Sequence, residues 1–134
     1  MEQDFLIDTN VIIDILKPST PSSVKSKLAD IPLVISAVTY METLGWPDAT
    51  EQQLSPIKKF MNSAKILFID KSIMETTVKI RQKKKVGLGD SIIAATAQVH
   101  NLALITRNVD DFKNIENLKI WNPWETADES ESPK

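Results

Sequence analysis

The chain has 134 residues, 42% of them hydrophobic and 25% charged, with no cysteine and one histidine. One domain with one core suits that length, and the missing cysteines exclude disulfide frameworks, thiolate zinc sites and cysteine nucleophiles. Asp plus Glu number 18 against 16 for Lys plus Arg, and the segment 126–134 carries three acids to one base, so the remainder is neutral. A neutral body is not built for non-specific duplex binding, and any nucleic-acid contact must come from local patches.

The opening Met1-Glu2-Gln3-Asp4 is acidic where a secretory leader would be basic, and no apolar run exceeds about five residues, far below the ~20 that span a bilayer. A soluble, cytoplasmic protein with no membrane partner is the expectation.

In chain order, Phe5-Leu6-Ile7 predicts a buried strand, followed by a helix over Val11 to Leu16 that Pro18 ends. Pro21 opens a second helix through Val24 and Leu28. Leu33-Val34-Ile35 is a strand, and Ser36 caps a helix that Gly45 and Pro47 close. Glu51 to Met61 is helical, broken or started near Pro56; Ile66 to Ile69 is a strand or a run-in to a helix capped by Ser72 and reaching Lys83. Asp90 to Val99 is apolar nearly all round and belongs deep in the core. Leu102 to Ile105 and Leu118 to Trp121 are the last strands. Short, non-alternating apolar strands separated by helices imply a parallel sheet covered on both faces. The predicted fold is α/β: a three-layer α/β/α sandwich with a short, mostly parallel sheet of about five strands, over residues 1–125. The stretch 126–134 is expected to be a disordered acidic tail.

In such sheets ligands bind beyond the carboxyl ends of the strands. Asp8 follows the first strand, Glu42 lies in the helix after the second, Asp90 stands at the mouth of the apolar helix, and Asn108, Asp110 and Asp111 follow the strand ending at Ile105. Taken singly, Asp8 and Asp90 are explained as helix caps, Glu42 as an exposed helix charge, and residues 108–111 as a polar turn. Together they place acids at one sheet edge. Clustered carboxylates repel one another unless a cation compensates, and oxygen donors without His or Cys select Mg²⁺ or Mn²⁺. Such ions act on phosphoryl groups without needing a histidine base, and His100 is assigned to backbone or solvent bonding.

These residues resemble the PIN domain: Asp8-Thr9-Asn10 after the opening strand, Glu42, the run Gly89-Asp90-Ser91-Ile92-Ile93-Ala94-Ala95, the segment Leu104 to Phe112, and Trp121-Asn122-Pro123-Trp124, all in the family's order. Small stand-alone members resemble VapC-type toxins. The resemblance implies a Mg²⁺- or Mn²⁺-dependent endoribonuclease, homodimeric, inhibited by a small antitoxin of the VapB kind. It makes Asp8, Glu42 and Asp90 metal-site acids, with Asn108 and Asp111 ranked equally for the fourth position.

Five bases in seven residues, among them Lys83, Lys84 and Lys85, precede the loop to Asp90. They form either a solvated helix end or a patch that guides a polyanion to the acids. Thr9, Asn10, Thr106 and Arg107 are further candidates for substrate contact. Trp46, Trp121 and Trp124 are assigned to packing. Rival readings are a structure-selective DNA nuclease, a phosphatase, and a degenerate module that binds RNA or a protein without turnover. A phosphatase of the haloacid-dehalogenase kind would want an aspartate where Asn10 stands.

Overall fold

The computed structural model describes residues 3–128, with side chains up to residue 125. Of the expected disordered tail 126–134, residues 126–128 instead close the last helix, and the remainder lies outside the described residues. Among the described residues five short strands are each followed by one or two of eight helices. The first strand, β1 (Phe5–Ile7), leads into α1 (Thr9–Ile15) and α2 (Ser22–Ala29); β2 (Val34–Ser36) leads into α3 (Ala37–Leu44) and α4 (Glu51–Met61). Then come β3 (Lys65–Leu67), α5 (Lys71–Lys83), α6 (Leu88–Val99), β4 (Ala103–Ile105), α7 (Val109–Phe112), β5 (Ile120–Trp121) and α8 (Pro123–Asp128).

Every strand pairing is parallel. The hydrogen-bonded ladders are β1-β4-β5 and β2-β3, and β1 lies beside β2, so the wall runs 3-2-1-4-5. The expected single sheet is thus two ladders in side-by-side contact. Alternation along the central strands divides the core. Leu6 and Leu104 pack with Ile73, Ile80, Ile93 and Phe112 beneath α5 and α6. Ile7 and Ile105, one residue on, face the opposite side with Val11, Ile12, Val24, Ile57 and Trp124. Helices therefore cover both faces, as expected.

Local chemistry sets the element ends. Ser36 caps α3 by accepting from the Val38 amide at 3.0 Å. The cap of α5 is Asp70, which accepts from Ile73 N at 2.9 Å; the expected Ser72 is the helix's second residue. The fourth helix runs unbroken through Pro56, held at its start by a reciprocal Thr50–Gln53 capping box. The sixth helix starts at Leu88, earlier than expected, and carries six fully buried residues between Ser91 and Ala97. It ends in a Schellman turn. Asn101 takes φ 55° there, and the amides of Asn101 and Leu102 return to the carbonyls of Gln98 and Ala97. Residues 109–112, expected as a turn, form the short α7, anchored by buried Phe112. Among the described residues no helix is long and apolar enough to cross a membrane.

Candidate active site

Parallel strands put all their carboxyl ends on one edge, and four acids from four segments meet there. Asp8 prolongs β1 by one rung, its amide donating to Ile105 O at 3.0 Å. Its side chain is 3% exposed. One carboxylate oxygen accepts from Thr9 N and the other from Thr106 Oγ1, each at 2.8 Å. Burial lifts the Asp8 pKa to about 6 against the opposing pull of those two bonds, and the charges of Asp90 and Glu42 push it the same way. The capping explanation holds for Asp8 in part, since it is the N-cap of α1.

For Asp90 it does not hold. Gly87 is the N-cap of α6, and Asp90 sits within the first turn with no hydrogen-bond donor to its carboxylate among the described residues. Partial burial raises its pKa, followed by repulsion from Asp111 and then Glu42. Asp111 lines the same pocket as Asp90, with Lys84 and Lys85 on the rim. Asp110 lines it too but is paired with Lys113 at 3.0 Å.

Glu42 extends from α3 to the same place, where its Oε1 accepts from Thr9 Oγ1 at 2.7 Å. A hydroxyl has one proton, so Thr9, having given its own to Glu42, takes one from Thr39, whose oxygen lies 3.0 Å away. Thr39 is fully buried and has no motif to announce it. The other Glu42 oxygen lies across Gly89: a Cβ there would come within 2.6 Å of Oε2. Glycine at 89 leaves the space that this carboxylate occupies.

Several expected substrate contacts are corrected. Thr9 and Thr106 are buried, and their hydroxyls hold Glu42 and Asp8, so they position acids and do not face a ligand. Thr106 Oγ1 also accepts from Asn108 N at 3.0 Å, fixing the turn into α7. Arg107 is engaged by Asp14 at 3.5 Å and lies over the Trp124 ring at 5.1 Å. Asn10 is exposed at the start of α1, as a substrate contact requires. Asn108 shows no contact of its side chain with the acids, whereas Asp111 is coupled to Asp90. Lys84 and Lys85 border the acid pocket, while Lys83 lines a different cavity. Trp124 is buried and Trp121 packs against Phe5, but Trp46 is 47% exposed, contrary to its packing assignment.

The donor set is chemically that of a hard dication: oxygens only, mutually repelling, with two pKa values raised. Among the described residues no three of these groups are already drawn into a metal cluster. Asp8 and Glu42 are held by protein donors instead.

A parallel sheet carrying acids after β1, in α3, at the start of α6 and in α7 defines a nuclease-type α/β domain. The PIN domain model matches residues 5–118, and the chain belongs to that family. It is 30% identical to the tRNA(fMet)-specific endonuclease VapC of Shigella flexneri over 86% of this chain and 94% of the relative. A toxin–antitoxin complex from Klebsiella pneumoniae shares 35% identity and a TM-score of 0.73, over 90% of this chain and 98% of the other. DNA-bound VapBC from Salmonella typhimurium superposes with a TM-score of 0.78 at 25% identity, over 91% and 99%.

Proposed function

We propose that this chain is an endoribonuclease that hydrolyses RNA phosphodiester bonds with Mg²⁺ or Mn²⁺, the toxin of a toxin–antitoxin pair acting in the cytoplasm. The observation that carries this reading is the meeting of four acids from four chain segments: Thr9 bonds both Asp8 and Glu42, Glu42 Oε2 lies against Gly89 next to Asp90, and Asp90 and Asp111 line one pocket. Asp8, Glu42 and Asp90 would hold the cation, and Asp111 takes the fourth place in preference to Asn108. When bound, the cation supplies Lewis-acid polarisation of the phosphate and charge balance for the carboxylates. Thr106 and Thr9 orient Asp8 and Glu42, and the bare Asp90 carboxylate is the group freest to engage a ligand. Lys84 and Lys85 draw the phosphodiester chain over a pocket that would otherwise repel it.

A small VapB-like antitoxin is the proposed inhibitor, a reading supported by the likeness of the fold to a toxin–antitoxin complex. Exposed Met74 and Val78, one turn apart on α5 with Phe68 just ahead of it, support self-association as a homodimer.

The test is Asp90→Asn, on protein free of host nuclease. The expected result is an unchanged fold and loss of Mg²⁺-dependent RNA cleavage; full activity overturns the mechanism. The neutral amide of Asn108, beside the acids in sequence, supports a second reading, a module that binds RNA without turnover. Binding without cleavage at any Mn²⁺ concentration selects it.

A further inference from the structure

Adjoining the carboxylate pocket is a second cavity of about 410 Å³, between the later turns of α5, the end of α6 and the approach to β5. Its volume falls in the range of roughly 300–1,000 Å³ typical of sites that hold small organic groups. Half-buried Val99 and Leu102 give it an apolar lining, backed by the buried Ile80, Ala97 and Ile115. Lys79, Lys83 and Lys84 stand on its α5 side and Lys119 on the other, against one acid, Glu116. Lys83 pairs with Glu116 at 3.6 Å. Lys119 donates to neutral partners, the amide oxygens of Gln3 at 2.8 Å and Asn101 at 3.4 Å. Lys79 and Lys84 make no ion pair among the described residues.

A cationic rim over an apolar lining suits a chain that alternates phosphates with flat bases. Lys84 and Ile115 line both this cavity and the pocket of Asp90 and Asp111, so a polymer seated in one reaches the other without leaving the surface. At 100° per residue, Lys79 and Lys83 lie across α5 from Met74 and Val78. A second copy covering that apolar stripe leaves the cavity open.

From this continuity and charge complementarity we infer that the cavity is a subsite for single-stranded RNA. It takes one unpaired nucleotide beside the stretch that crosses the acids, with the base on the apolar lining and its flanking phosphates on Lys79 and Lys119. The inference rests on the ribonuclease reading.

The experiment measures anisotropy of RNA oligonucleotides of about 12 nucleotides, each with one abasic residue at a successive position. Two proteins are compared, Asp90→Asn and the same chain with Lys79→Ala and Lys119→Ala added, after the parent has located the cleaved bond. One abasic position at a constant distance from that bond weakens binding to Asp90→Asn. The lysine pair weakens intact RNA about tenfold, flattens that position and lowers the salt slope by about 1.4. A flat abasic profile, or unchanged affinity in the lysine variant, overturns the subsite and leaves the ribonuclease reading standing. Equal loss from Lys58→Ala with Lys59→Ala on α4 assigns the effect to bulk charge and also overturns it. So does loss of poly-glutamate binding with RNA binding intact, which gives the cavity to a protein partner. Absence of cleavage by the parent overturns both readings.

Discussion

Replacing Asp8 by asparagine is expected to stabilise the fold at neutral pH while disabling the site. The folded pKa of about 6 exceeds the 3.8 of a free aspartate, chiefly through burial, so the folded chain holds this proton more tightly than the unfolded one. The penalty for the bare carboxylate is absent below pH 3.8, grows as pH rises towards 6, and is complete above it. The difference corresponds to at most ~3 kcal/mol. Asparagine keeps the shape: its oxygen accepts from Thr9 N, and its NH₂ donates to Thr106 Oγ1, which still accepts from Asn108 N. In a chain of this size that gain raises Tm by up to about 10 °C. Thermal melts by circular dichroism in EDTA from pH 4 to pH 8 check it: a clear gain at pH 8, vanishing near pH 4. Millimolar Mg²⁺ narrows the gap by stabilising the parent alone. No gain at pH 8, or an equal gain at pH 4, would refute the account of a buried, repelled carboxylate.

Gly89→Ala is expected to keep the fold, because the atom it crowds is the mobile end of Glu42, and to lower RNA cleavage by about tenfold as that carboxylate is pushed aside; equal melting curves with unequal kcat would bear this out. Asp111→Asn should reduce cleavage by at least about tenfold, with Asn108→Ala changing it little, and side-by-side kinetics at saturating Mn²⁺ decide which residue completes the site. Thr106→Val leaves one Asp8 oxygen without its donor and frees the turn at Asn108, a loss of about 1–3 kcal/mol measurable by urea unfolding at pH 7.

The strands and deep helices were legible because burial leaves a strong mark on short windows: Phe5 to Ile7, Ala103 to Ile105 and the apolar α6 stand where their runs lie. Asp8, Glu42 and Asp90 were legible through their place after those runs. What escaped depends on tertiary partners. Four residues cannot display a helical period, so α7 passed for a turn. Pro56 is tolerated because the surrounding helix packs through Ile57 and Met61, which no local rule registers. Thr39 and Thr106 look like ordinary polar residues until folding sets them beside residues 9 and 8. Arg107 looked free for phosphate because Asp14 and Trp124 are distant in sequence. That Asp111 shares a pocket with Asp90 follows from α7 folding back on the start of α6, which the sequence alone does not display.

Asp8 hangs from the last rung of the central ladder, whereas Asp111 sits on one helical turn held by buried Phe112, the Asn108 amide on Thr106 and the Asp110–Lys113 pair. The two jaws therefore differ in stiffness. Amide exchange at Asp8 should require global unfolding, while the turn bearing Asp111 can fray alone.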